Sequence, residues 1–136
     1  MKNHILIAAL VISIPAGFTR AESAIVNKLL QDYAALGAAT ADAERGKRMW
    51  EETFSSDGEF PERSCSSCHT HDLTRTGKHV KTNKEIKPMT PSANPKRLTD
   101  GKKIEKWFKR NCKWTLRREC TAQEKADFLA YIDKPS

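Results

Sequence analysis

The stretch Cys65-Ser66-Ser67-Cys68-His69 decides how the rest of this 136-residue sequence is interpreted. Two thiols three positions apart can each bond to one of the two vinyl groups of a haem. A histidine that follows directly can donate an imidazole nitrogen to the iron. The spacing therefore predicts one covalent haem c, attached to Cys65 and Cys68, with His69 as an axial ligand of the iron.

Three other interpretations of the two thiols compete with this one. A thioredoxin-like dithiol would follow a strand of a βαβ unit, and no strand pattern precedes Cys65. A zinc site could recruit His71 or His79, but it lacks a second ligand pair at the usual spacing. A disulfide between Cys65 and Cys68 would have to close a very tight loop. We expect both histidines at the surface, with His79 as a second haem ligand the less favoured alternative.

Residues 1–21 have the features of an export signal. Lys2 gives a positive start, an apolar run extends from Ile5 to Phe18, and Thr19-Arg20-Ala21 offers small residues at the cleavage site. We expect cleavage after Ala21 and export to the periplasm. The apolar run is shorter than the roughly 20 residues that a membrane anchor needs, so cleavage is preferred over an uncleaved anchor.

The sequence is basic, with 24 Lys and Arg against 17 Asp and Glu and a formal net charge of +7. No stacking aromatics are interleaved with the lysines as in single-strand binders, so we expect no nucleic-acid partner. The charge fits an acidic redox partner, or equally a solvated surface that keeps the protein soluble. One predicted helix carries a cluster of cations, for which docking and solvation are again the two interpretations: Lys102, Lys103, Lys106, Lys109, Arg110 and Lys113.

Apolar residues recur at helical spacing and no run alternates strictly, which predicts an all-α fold. We expect an N-terminal helix within residues 22–40, ending at Gly37, and a haem-binding domain over residues 41–136. The first helix presents on one face Ile25, Leu29, Tyr33 and Leu36. The last helix opens with a capping box from Thr121 to Glu124.

The second helix is predicted to start near Asp42, whose carboxylate can cap free amides. It carries Gly46, Trp50 and Phe54 on one face. A glycine inside a helix costs about 1 kcal/mol, so Gly46 indicates that another backbone or ring packs closely there. Residues 55–103 contain many Ser, Pro and Gly residues and predict loops with short turns.

A third helix is predicted after Thr99, with four residues on one face: Ile104, Trp107, Phe108 and Asn111. Trp107, Phe108 and Trp114 could line a haem pocket or belong to an ordinary core. Beyond this helix lie Cys112 and Cys120. In an oxidising compartment, and with the other two thiols bonded to haem, these two can pair, which would stabilise the fold by about 2.5 kcal/mol. The alternative is two free buried thiols.

Two residues are candidates for the second axial ligand. Met89 lies in a proline-bounded loop of the kind that presents a sulfur to haem, although a whole helix separates it from the last helix. Asn111 would be buried among apolar neighbours, and binding iron would resolve the cost of about 1–3 kcal/mol for an unpartnered amide. Asn111 could instead end its helix by bonding to nearby backbone groups.

From Ala41 to Ile132 the chain resembles the sphaeroides haem protein family of monohaem, class I-like c-type cytochromes. The resemblance rests on the haem motif and five other segments: Ala41-Asp42-Ala43-Glu44-Arg45-Gly46, Thr82-Asn83-Lys84-Glu85-Ile86, Pro91-Ser92-Ala93-Asn94-Pro95, Arg110-Asn111-Cys112 and Cys120-Thr121.

The resemblance implies a class I cytochrome c-like fold, here with an extra N-terminal helix. It also implies Asn111 as the distal iron ligand and a Cys112–Cys120 disulfide. The expected function is binding of oxygen or nitric oxide at the reduced iron, with electrons from a dihaem c-type cytochrome or a membrane cytochrome b. We expect a monomeric gas-binding and electron-transfer protein rather than an enzyme, and a plain carrier using Met89 is the alternative.

Overall fold

A computed structural model describes residues 24–55 and 57–134 of the chain. Residues 1–21, where the export signal is predicted, lie outside the described residues. In chain order the helices are α1 (Ala24–Ala35), α2 (Ala43–Glu51), α3 (Ser66–His69), α4 (Gly101–Thr115) and α5 (Ala122–Asp133). The strands are β1 (Phe54–Ser55), β2 (Glu62–Arg63), β3 (Gly77–Lys78) and β4 (Glu85–Ile86). None of the described helices is both long and apolar enough to cross a membrane.

Helices dominate this fold, and the strands form two antiparallel pairs, β1 with β2 and β3 with β4. Apart from Phe54, both pairs lie within residues 55–103, the region that the sequence predicted as loops with short turns. Phe54 differs from its prediction: α2 ends at Glu51, and Phe54 pairs with Arg63 in the first hairpin. The all-α, class I cytochrome c-like class is confirmed, with α1 as the extra N-terminal helix.

The N-terminal helix α1 ends just before Gly37, a residue that can adopt the positive φ of a helix C-terminus. Gly37 has a φ of +93°, and the amide of Ala38 donates to the carbonyl of Tyr33 at 3.0 Å. Val26, Leu29 and Tyr33 are buried by packing of α1 on α5 and α4. Leu36, predicted on the same face, is 76% exposed because α1 ends at Ala35, one residue before it.

Two predicted caps start helices as expected. Asp42 precedes α2 and its carboxylate accepts the amide of Arg45 at 3.0 Å. Before α5, Thr121 and Glu124 form the reciprocal capping box. Asp100 is the N-cap of α4, and its carboxylate accepts the amide of Lys103 at 3.0 Å.

Helix α2 crosses α5 at Gly46, where the backbones come very close. A Cβ built on Gly46 would lie 2.2 Å from the carbonyl oxygen of Asp127 and 2.9 Å from Cβ of Tyr131. The prediction of a close neighbour at Gly46 agrees with this geometry. Beside the crossing, Arg45 donates to the buried carboxylate of Asp127 through Nε and Nη2, both at 2.9 Å. The pair of helices therefore supports one side of the site described next.

Candidate functional site

A cavity of about 460 Å³ lies between the Cys65–His69 segment and helix α4. Its volume is within the range of roughly 300–1,000 Å³ that is typical of small-molecule and cofactor sites. Most of the predicted site residues line it: Cys65, Cys68, His69, Met89, Asn111, Cys112 and Cys120. Trp107, Phe108 and Trp114, for which two interpretations were open, line the same cavity.

The haem motif is held by local hydrogen bonds in the short helix α3. The amide of Ser67 donates to the Ser64 hydroxyl at 3.0 Å, and the Ser67 hydroxyl donates to the Ser64 carbonyl at 2.7 Å. The amide of His69 donates to the carbonyl of Cys65 at 3.0 Å. One turn of helix thus brings Cys65, Cys68 and His69 to the same cavity.

The second hairpin, formed by β3 and β4, can lie directly against this motif because Gly77 has no side chain. A Cβ on Gly77 would lie 2.1 Å from the carbonyl oxygen of Cys68 and 3.0 Å from Cα of His69. Strand β3 therefore packs directly on the backbone of the motif. Sequence reasoning missed Gly77, because an isolated glycine in a loop-rich region carries no specific signal.

The environment of the His69 imidazole suits a metal ligand. Burial, together with Arg97 and His79, lowers the pKa of His69 to about 4, so the imidazole is neutral at physiological pH. Its Nδ1 atom is buried and has no hydrogen-bond partner within the described part of the chain. The indole of Trp50 packs against the ring with centroids 5.4 Å apart, and its Nε1 donates to the carbonyl of Thr70 at 2.9 Å.

The two thiols of the motif are not bonded to each other in the structure. Burial, and then the neighbouring Cys68, raise the pKa of the Cys65 thiol to about 12. Redox-active dithiols require the opposite, a lowered thiol pKa, so this environment does not favour a thioredoxin-like role. Thiols that line a cavity beside a neutral histidine fit a covalently attached haem.

Across the cavity, Asn111 lies inside α4 rather than at its end, because the helix continues to Thr115. Its side chain has no hydrogen-bond partner among residues 24–55 and 57–134, which does not favour a helix-ending role. The side chain is exposed toward solvent and cavity, in contrast to the predicted burial among apolar groups. That difference arises because this face of α4 lines a cavity instead of packing into the core.

The next residue, Cys112, is disulfide-bonded to Cys120, which joins α4 to the segment that precedes α5. The end of α4 is also tied to the first hairpin. Nη1 of Arg63 donates to the carbonyl of Trp114 at 2.7 Å, and the guanidinium lies 4.6 Å from the centre of the Trp114 ring. The backbone around Asn111 is thereby connected to two other parts of the fold, the segment before α5 and the first hairpin.

The two histidines outside the motif differ from each other. His71 is exposed, as predicted, and lies 3.5 Å from a carboxylate oxygen of Glu51. His79 lines the cavity, but its Nδ1 accepts the amides of Lys81 and Thr82 at 3.3 and 3.2 Å. All six cations of the predicted cluster on α4 are exposed.

Comparisons with known proteins identify the family. The family model described as a domain of unknown function, DUF1924, matches residues 36–132. Cytochrome c-type protein SHP of Cereibacter sphaeroides is 45% identical over 105 residues, which cover 77% of this chain and 80% of that protein.

Solved structures agree with this result. Oxidised SHP, described as an oxygen-binding cytochrome c, superposes with a TM-score of 0.72 at 43% identity, covering 79% of this chain and 95% of that one. Oxidised cytochrome c'' of Methylophilus methylotrophus gives 0.71 at 32% identity, with 82% and 95% covered. The solution structure of cytochrome c'', described in terms of haem-ligand detachment, gives 0.66 at 33% identity, with 80% and 92% covered. The chain therefore belongs to the SHP family of monohaem c-type cytochromes, and its cofactor is covalently bound haem c.

Proposed function

We propose that this protein binds a diatomic ligand, oxygen or nitric oxide, at the reduced iron of its haem and exchanges electrons with partner cytochromes. In this proposal Cys65 and Cys68 carry the haem, His69 is the proximal ligand, and Asn111 is a distal ligand that is released on reduction. The observation that carries it is that Asn111 lines the same cavity as His69 while its amide has no partner within the described residues. That SHP is an oxygen-binding cytochrome c supports the gas-binding part.

Each residue of the motif has a defined task in this proposal. Cys65 and Cys68 tether the cofactor, which makes its loss from the cavity impossible without breaking a bond. The low pKa of His69 keeps a nitrogen lone pair available for the metal. Once bound, the haem supplies an iron that changes its oxidation state and accepts an exchangeable ligand.

The chemistry of the amide explains why Asn111 would be released. A side-chain amide oxygen is a hard ligand, which suits ferric iron and holds the softer ferrous iron weakly. Reduction therefore favours departure of Asn111 and leaves its position for a small molecule. Haem-ligand detachment is a property described for the related cytochrome c'', which supports a labile ligand in this fold.

A second candidate function, a plain electron carrier, follows from Met89. This residue also lines the cavity, and its amide donates to the carbonyl of Leu73 at 2.9 Å, so the backbone holds it there. A thioether is a soft ligand that stays on ferrous iron and raises its reduction potential. With Met89 on the iron, the site would be closed in both oxidation states.

The proposal extends to export and partners. We propose that residues 1–21 are a signal peptide cleaved after Ala21, and that the mature protein acts as a periplasmic monomer. Residues 22–40 would then form the N-terminal helix region and residues 41–136 the cytochrome domain. A dihaem c-type cytochrome or a membrane cytochrome b is the proposed electron donor.

Absorption spectra of purified holoprotein test the distal ligand. With Asn111 as the ligand, the ferrous protein is expected to be high-spin and to bind carbon monoxide at once, and Asn111→Ala is expected to change the ferric spectrum. Met89→Leu, which keeps the volume of the loop residue, is the matched control. It is expected to change neither the ferric spectrum nor the binding of carbon monoxide by the ferrous protein. An unchanged ferric spectrum in Asn111→Ala would refute the assignment. A closed, low-spin ferrous protein that Met89→Leu opens would establish the plain carrier instead.

A further inference from the structure

Arg97 is a half-buried cation that lines the haem cavity. It lies in the loop between β4 and α4, and its guanidinium is oriented by carbonyl groups of that loop. Nε and Nη2 donate to the carbonyl of Pro88 at 3.2 and 3.1 Å, and Nη2 also donates to the carbonyl of Lys87 at 3.0 Å. The next residue, Leu98, has a φ of +59°. Its side chain is buried in the core, which fixes the backbone next to Arg97.

The charge of Arg97 is not balanced by any carboxylate in the described part of the chain. No carboxylate within the described residues forms an ion pair with it, and all its acceptors are neutral carbonyls. Nη1 has no hydrogen bond within the described residues. Burial lowers the pKa of the guanidinium below its ordinary value, which reports the cost of holding this charge away from water. A buried cation normally has an anionic partner.

The other residues that line the cavity also carry more positive than negative charge. Asp100 is the one acidic side chain among the described residues that line it, and its carboxylate is engaged in capping α4 through the amide of Lys103 at 3.0 Å. The other charged lining residues besides Arg97 are cationic: Lys84, Lys96, Lys103 and Arg110. The cavity is therefore suited to a ligand that brings its own negative charge.

We propose that Arg97 binds a propionate carboxylate of the haem and acts as a positioning residue that sets the charge experienced by the iron. Guanidinium and carboxylate form strong, charge-assisted hydrogen bonds, and Nη1 offers a donor that the described residues leave unused. The same side chain bonds to Pro88, so the carboxylate is linked to the loop that carries Met89. The inference rests on the proposed haem position in this cavity, and it holds for either distal ligand.

The reduction potential of purified holoprotein, measured against pH, tests the proposal. Arg97→Gln removes the charge, and its expected result is a lower potential at neutral pH, because a nearby cation favours the less positive ferrous state. The potential is also expected to fall more steeply between about pH 6 and pH 8, since a carboxylate without its cation titrates at higher pH. Arg97→Lys keeps the charge and is expected to restore most of both properties.

Asn94→Ala is the matched control. Its amide donates to the same carbonyl of Pro88 at 3.1 Å, so the variant loosens the loop without altering any charge. If Arg97→Gln and Asn94→Ala shift the potential alike, or if Arg97→Gln keeps the wild-type profile, the proposal is overturned. Should Arg97→Gln fail to fold, Arg97→Met, which also removes the charge, takes its place, and a profile equal to that of Asn94→Ala overturns the proposal. Failure of the haem position itself is distinguishable, because colour would then be lost on acid-acetone extraction of the wild type.

Discussion

The indole ring of Trp50 lies against the imidazole of His69, with the two planes tilted by 44°. Trp50 is 4% exposed, and its hydrogen bond to the carbonyl of Thr70 supports a residue with a φ of +67°. One side chain of α2 therefore holds both the proposed proximal ligand and the strained residue that follows it.

Trp50→Phe is expected to lower the free energy of unfolding by about 2 kcal/mol, because it leaves the Thr70 carbonyl unsatisfied and opens space in the core. Urea unfolding of the ferric protein, followed by circular dichroism, measures this. Leu36→Ala is the control, since Leu36 is 76% exposed and does not line the haem cavity, and a change within about 0.5 kcal/mol is expected there. Equal losses in the two variants would contradict the supporting role of Trp50.

Gly77→Ala is expected to reduce covalent haem attachment. The new methyl group would overlap the carbonyl of Cys68 and press on His69, so either β3 or the motif must move, at a cost of about 1–3 kcal/mol. The ratio of Soret to protein absorbance in purified protein reports the haem content. Gly101→Ala provides the comparison, because the Cβ added there meets only ordinary van der Waals contacts, at 3.8 and 4.0 Å. Normal haem content in Gly77→Ala would show that the contact is unimportant.

Gly46→Ala is expected to destabilise the fold by about 1–3 kcal/mol, although alanine favours an isolated helix by about 1 kcal/mol over glycine. The reason is the contact with the carbonyl of Asp127 across the helix crossing. Gly101→Ala is the matched control in α4, where the new Cβ meets only Ile25 Cγ2 at 3.8 Å and Leu29 Cδ2 at 4.0 Å. Thermal unfolding should show a lower midpoint for the first variant and an equal or higher one for the second. A stabilised Gly46→Ala would mean that the crossing can relax.

Alkaline pH is expected to weaken the attachment of α1. The hydroxyl of Tyr33 donates to the carboxylate of Glu105 in α4, and Lys125 bonds to the same carboxylate at 2.7 Å. Burial first, and then Glu105, raise the pKa of Tyr33 above its ordinary value of 10.0. The unfolded chain ionises at that value while the folded chain retains the proton. The stabilisation is therefore complete below pH 10 and is lost as pH rises above it.

Tyr33→Phe removes the titrating group. Stability measured by urea unfolding is expected to be about 1–2 kcal/mol lower than in the wild type at neutral pH. Above pH 10 the stability of the variant is expected to fall less steeply than that of the wild type. Parallel curves over the alkaline range would exclude Tyr33 as the source of the pH dependence.

Local chemistry made part of this structure predictable. Caps at Asp42 and at Thr121 with Glu124 depend on residues three positions apart, so the sequence alone identifies them. The haem motif is equally local, since one turn of helix brings its thiols and histidine to one side. Gly46 could be interpreted correctly because a glycine inside a helix has few reasons other than a close neighbour.

Contacts between distant residues were not predictable in this way. The ring contact of Trp50 with His69 and the anchoring of Arg97 by Pro88 depend on how loops return to the core. Leu36 was misplaced because helical periodicity does not reveal that α1 stops one residue earlier. The position of Asn111 at a cavity was not predictable either, since an apolar helix face looks the same in sequence whether it meets a core or a cavity.

The disulfide between Cys112 and Cys120 links the two sides of the haem site through the protein. His69 contacts Trp50 of α2, α2 packs on α5, and the disulfide connects the segment before α5 to the turn of α4 that carries Asn111. The spacing between the two sides is thus determined by the protein itself, so the site is preorganised. Ordering it costs free energy during folding and not again when a ligand enters or leaves.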